Sequence, residues 1–167
     1  MHRPLRAALP AAVAVVLAAF AASSSSPALG ASARHPWATI NICDPPGRPG
    51  AVGVRVFLPP RARGAQWARV RLEYFDATAR VWRRVRAGGD GGWRRIGSGR
   101  RAVLGGTTVT FPAPAVGRRI VLRGLVAFQW RRGRRVLARS RVRTTAGHAD
   151  RADRSLTESR RVCEIVR

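Results

Sequence analysis

A chain of 167 residues with 46% hydrophobic content is long and apolar enough to bury a core, which excludes a disordered tail. Its 32 basic residues face 8 acidic ones for a formal charge of +24, and every basic residue is arginine. GC-rich coding bias accounts for arginine in place of lysine but not for the shortage of Asp and Glu, so the cationic surplus is a physical property that needs either a partner or a tolerance, and a surface this basic is expected to attract polyanions.

The N-terminus reads as an export segment. Arg3 and Arg6 supply early positive charge, an apolar run covers 7–22 with Pro10 inside it, and Ala31-Ser32-Ala33 closes a small-residue stretch. Basic, apolar, then A-x-A is the layout of a signal peptide, with cleavage expected after Ala33 (Ala31 is the alternative) and a mature domain over 34–167. A membrane anchor fits less well. The uninterrupted apolar stretch 11–22 has 12 residues, whereas a spanning helix needs about 20. No cysteine near the cleavage site could accept lipid, and the last residues form no hydrophobic tail, so the mature protein is expected not to span a membrane.

Strand patterns fill the remainder. Trp37–Cys43 opens the domain and stops at Asp44-Pro45-Pro46-Gly47. Val52, Val54, Val56 and Leu58 alternate until Pro59-Pro60, and Val70, Leu72 and Tyr74 alternate with a charged outer row of Arg69, Arg71 and Glu73. Val81–Val85 reads as the return strand. Gly88-Gly89-Asp90-Gly91-Gly92 reads as a turn, and Trp93–Ile96 and Thr107–Phe111 as short strands. Ile120–Trp130 is read as a central strand apolar on both faces. Arg131-Arg132-Gly133-Arg134 turns the chain into Val136–Thr144, with Arg139, Arg141 and Arg143 on one side.

Residues 147–161 read as a loop, with Ser155 and Glu158 offering a capping box for a short helix as the rival, before a last strand around Cys163 and Ile165. Seven to nine short strands predict an all-β, antiparallel β-sandwich, immunoglobulin-like in the broad sense, with an eight-stranded barrel as the competing architecture.

Two cysteines in an oxidising destination predict a Cys43–Cys163 disulfide. It is expected to tie the two ends of the domain together, not to link two facing sheets as the immunoglobulin bond does. A metal site needs about four ligands, and the mature chain offers only His35 and His148 beside these cysteines, so no metal and no cofactor are expected. Gly97-Ser98-Gly99-Arg100-Arg101-Ala102 matches the G-x-G-x-x-A dinucleotide pattern, but a strand follows where that fold requires a helix. His148 near Asp150 reads as a solvated turn, and no Gly-x-Ser-x-Gly elbow accompanies it. Paired carboxylates for glycoside hydrolysis are also lacking: Asp44, Asp90, Asp150 and Asp153 fall in turns, and Glu73 and Asp76 are expected to pair with arginine. The expectation is a protein without catalytic residues.

Trp37 and Trp130 lie in apolar patterns and read as core. Trp82 and Trp93 lie among Arg83, Arg84, Arg94 and Arg95, where arginine either covers the rings within the molecule or stacks with them on a ligand. The segments 37–44 (W-A-T-I-N-I-C-D), 88–99 and 122–148 together resemble a group of small secreted proteins of high-GC Gram-positive bacteria to which no function is attached. The resemblance implies an exported β-sandwich and supports pairing Cys43 with Cys163. It brings no ligand or catalytic residues.

The leading expectation is a secreted binding or structural module that holds an anionic envelope polymer. The formal charge of the chain without residues 1–33 is +22, because Arg3 and Arg6 leave with that segment and no acid does. Candidate contacts are Arg83, Arg84, Arg94, Arg95, Arg131, Arg132, Arg134 and Arg135, with Trp82 and Trp93. The alternative is a module for an extracellular protein partner or an inhibitor, using a sheet edge or the glycine-rich loop, and an enzyme of unfamiliar type is the third reading. Export argues against a nucleic-acid role.

Overall fold

Strand alternation decides the architecture. The computed structural model describes residues 35–61, 64–110, 112, 114–148 and 158–167, and among these nine strands form and no helix. They are β1 (Trp37–Cys43), β2 (Ala51–Leu58), β3 (Ala65–Asp76), β4 (Val81–Arg84), β5 (Asp90–Gly97), β6 (Val103–Thr110), β7 (Arg119–Arg132), β8 (Arg135–Arg143) and β9 (Cys163–Val166). In β3 the even-numbered residues from Gln66 to Leu72 are buried and the odd ones are not. In β7 the buried row is Leu122, Gly124, Val126, Phe128 and Trp130. A period of two with one buried row is what a strand covered on one face requires.

Two antiparallel sheets result. The first has the order β1-β2-β6. In the second, β3 and β7 pair along most of their length, β4 and β5 share the free edge of β3, and β8 and β9 share the free edge of β7. The sheets meet through Ala38, Ile40, Val52, Val54, Val56 and Leu58 on one side, and through Val70, Leu72, Leu122, Val126, Phe128 and Ile165 on the other. This is a β-sandwich and not a barrel. Gly124 sits where the layers approach closely: a Cβ there would lie 2.8 Å from the Thr144 methyl and 3.2 Å from Val54. Its amide donates to Thr144 Oγ1 at 3.1 Å.

The strand at 120–130 is central, as its composition predicts, but it is not apolar on both faces. Its odd positions carry Arg123 and Gln129 outward. Its end also lies later than expected. β7 runs through Arg131 and Arg132, and Gly133-Arg134 alone make the turn, with Gly133 at φ 57° in the first position of a two-residue loop. Asp90–Gly92 likewise open β5 rather than completing a turn, and β6 starts at Val103. The 1–33 export segment and Ser155 of the expected capping box lie outside the described residues.

Cys43 and Cys163 are bonded, with Cα atoms 5.4 Å apart. The bond does more than join chain ends. Cys43 closes β1 of the first sheet and Cys163 opens β9 of the second, so the link crosses the sandwich, a placement that the sequence reading excludes. Arg167 reinforces the same seam, its Nη1 donating to Asp44 Oδ2 at 2.6 Å. The loop closed by the disulfide spans a separation of 120 residues. Replacing both cysteines by alanine is expected to lower unfolding stability by about 4 to 5 kcal/mol on the loop-closure model, read as a shift of the denaturant midpoint against the oxidised protein.

Candidate functional site

The parity that buries the core also sorts the charges. On β3, β7 and their neighbours the outward positions form one face of the second sheet, and register fixes who stands beside whom. Arg139, Arg141 and Arg143 of β8 lie opposite Gln129, Ala127 and Leu125 of β7, none of which is acidic. On the other flank Arg95 lies opposite Trp67, Trp93 opposite Arg69, and Arg84 opposite Glu73. Successive outward residues of one strand are about 6.7 Å apart. The three β8 arginines therefore make an evenly spaced, exposed row.

Every acidic side chain among the described residues is already held by arginine. Asp44 pairs with Arg167, Glu73 with Arg123, Asp76 with Arg83, Asp90 with Arg69 and Arg71, Glu158 with Arg160, and Glu164 with Arg119. Arg84, Arg95, Arg139, Arg141 and Arg143 are exposed and have no carboxylate partner among the described residues. The outer face of the second sheet thus carries part of the surplus, while Arg48, Arg80, Arg118 and Arg161 are exposed in loops outside it.

The tryptophans on this surface are occupied by the protein itself. Arg123 lies over Trp82 at 4.1 Å while binding Glu73 at 2.8 Å, and Trp82 tilts against Phe75 with ring centroids 5.3 Å apart. The Arg131 guanidinium lies 4.7 Å from the Trp67 ring and 4.9 Å from the Trp93 ring, and its Nε donates to Gln129 Oε1 at 2.6 Å. Arginine does cover these rings, but from β7 across the sheet and not from the neighbouring positions 83, 84, 94 and 95.

The predicted contact residues therefore divide. Arg84, Arg95, Arg131, Trp82 and Trp93 occupy the outer face of the second sheet. Arg83 and Arg94, one position away, have the opposite parity: Arg83 binds Asp76 at 2.6 Å, and Arg94 stands opposite the buried Ala68. Arg132 and Arg135 pair across the β7–β8 hairpin and Arg134 lies in its turn, at one end of the face. The site also contains residues not chosen as contacts, namely Arg69, Arg71, Arg123, Arg139, Arg141 and Arg143. Their alternation in the sequence is the signal that could have found them.

At the hairpin end the face dips into an open cleft of about 470 Å³, lined among others by Trp67, Arg95, Ser98, Arg100, Arg131 and Arg132. The segment 97–102 that mimics a dinucleotide fingerprint forms the end of β5 and the loop into β6, with no helix to follow.

The opposite sheet is different. Trp37 is half-buried and not part of the core, because the outward side of β1 places it on Phe57 at 5.4 Å and on His148 at 4.2 Å. His148 is accordingly packed rather than solvated. Burial, and then the charge of Arg55, hold its imidazole below the ordinary histidine range. Asp150 lies outside the described residues. Among the described residues no group of three His, Cys, Asp or Glu side chains could hold a metal ion.

No protein-family model, curated protein or solved structure matches this chain.

Asp90 is the acid on which the cationic face most depends. The Arg69 guanidinium, the Gly92 amide and Arg71 hold its carboxyl well below the usual range, against a smaller opposing effect of burial. A depressed folded-state value stabilises the protein above the unfolded value, near pH 4, and that contribution fades as pH falls below it. Asp90→Asn is expected to cost about 1 kcal/mol at pH 7, since the pair is partly solvent-screened. The difference from the parent should shrink progressively in urea titrations repeated between pH 5 and pH 2.

Proposed function

We propose that the protein is exported and works without catalysis, as a module that binds anionic polymer of the cell envelope through the outer face of its second sheet. The observation that carries this reading is the distribution of charge. The described acids are consumed by ion pairs with other arginines, while Arg84, Arg95, Arg139, Arg141 and Arg143 share the outward face of the second sheet and form no ion pair with a described carboxylate. Like charges held at sheet spacing repel, so a polyanion laid across the face relieves that repulsion and releases its own condensed counterions. Arginine suits the task because its planar fork meets phosphate, sulfate or carboxylate with two parallel hydrogen bonds.

A disulfide across the sandwich supports an oxidising compartment, as does the basic–apolar–A-x-A order at the start of the chain.

The test is salt. Binding to immobilised teichoic acid or heparin is expected to weaken steeply as sodium chloride rises. The triple variant R139Q/R141Q/R143Q should bind at least tenfold more weakly at low salt. Its slope of log affinity against log salt should be shallower by about 2, since each lost contact to a flexible single-chain polyanion removes about 0.7. Retention that survives high salt, unaltered in the triple variant, would mean a protein partner held by other surfaces and would end the polyanion reading.

A further inference from the structure

We infer that the cleft at the hairpin end of the cationic face is a discrete site for one tetrahedral oxyanion, phosphate or sulfate, carried on a sugar or polyol. The inference rests on the reading of this sheet as an anion-binding surface and assigns it a specific pocket. The β8 row is flat and repetitive, and suits a polymer in any register. The cleft is neither.

Arg131 is its fixed point. Its guanidinium lies against two indoles, at 4.7 Å from Trp67 and 4.9 Å from Trp93, and its Nε–H is spent on Gln129. The four remaining N–H bonds of that group have no acceptor among the described residues. A guanidinium immobilised this way has already lost its rotamer freedom, so an anion arriving in its plane pays little further ordering cost. Arg95 and Arg100 line the same cleft and have no partner among the described residues, Arg132 adds a fourth positive charge, and the Ser98 hydroxyl offers a neutral donor. None of the described lining residues is acidic.

An oxyanion has four corners, and three arginines with a hydroxyl can serve them from different sides. The volume of about 470 Å³, lined also by Gly64, Ala65 and Trp67, leaves room beyond the anion for one ring-sized unit.

The experiment titrates the oxidised protein with glucose 6-phosphate, glucose 6-sulfate, inorganic phosphate and glucose, read by calorimetry and by tryptophan emission, to which Trp67 and Trp93 contribute. A saturable one-to-one response is expected for the charged sugars, at least tenfold tighter than for glucose. The tighter of phosphate and sulfate identifies the source of the oxyanion. Arg131→Lys keeps the charge but loses the fork and the stacking, and should weaken binding at least tenfold. Arg100→Gln, in an exposed loop, should do the same without touching the fold.

The R139Q/R141Q/R143Q variant should stay within twofold of the parent for the small ligands while losing polymer. The two proposals therefore fail separately: polymer binding that does not respond to salt or to the triple variant, with small-ligand binding intact, removes only the polymer reading. No saturable binding to the parent, or R131K and R100Q variants that both bind as tightly as the parent, overturns the cleft. Inorganic phosphate binding as tightly as glucose 6-phosphate overturns the sugar part.

Discussion

The register of β7 is the constraint on which the molecule depends. This 14-residue strand is hydrogen-bonded to β3, β8 and β9, and its even side chains fill the centre of the sandwich. A slip by a single residue would turn Leu122, Val126, Phe128 and Trp130 to water and draw Arg123 and Arg131 into the core, so apolar burial pins the strand in place. Once it is pinned, pairing dictates the outward neighbours on every adjoining strand. The chemistry of the outer face is a by-product of how the inner face packs.

That face reconciles two opposed demands. A sheet surface crowded with guanidinium groups repels itself, and the fold answers with a few well-placed acids and with aromatic rings. Asp90 serves two arginines at once, and Glu73 steadies the arginine that lies on Trp82. Stacking lets a cation shed part of its hydration without needing an opposite charge. The ladder of Trp67, Arg131 and Trp93 thereby keeps a positive group ordered and undischarged.

Alternation makes much of this legible in advance. Val70 and Leu72 between Arg69, Arg71 and Glu73 announce a half-buried strand, and the same period places Arg139, Arg141 and Arg143 together. The candidate contacts are less well chosen because they are grouped by adjacency along the chain. In a strand, adjacent residues face opposite ways, so the pairs at 83–84 and 94–95 cannot serve one surface together, whereas the register shift between Trp130 and Arg131 leaves Arg131 and Arg132 lining one cleft. The period-two rule alone separates them. What no local pattern contains is pairing between strands distant in sequence: that Arg131 would reach both Trp67 and Trp93, or that the cysteines would sit in facing layers, depends on which strands become neighbours.

The arginine row on β8 has a consequence for release. Salt screens exposed charges over about 8 Å at physiological ionic strength, close to the spacing of this row. The chain also holds no lysine whose acylation could erase a charge. On the polyanion reading, a polymer held on the sheet is dislodged by competing ions or a better-fitting anion, which makes attachment a matter of the surrounding electrolyte.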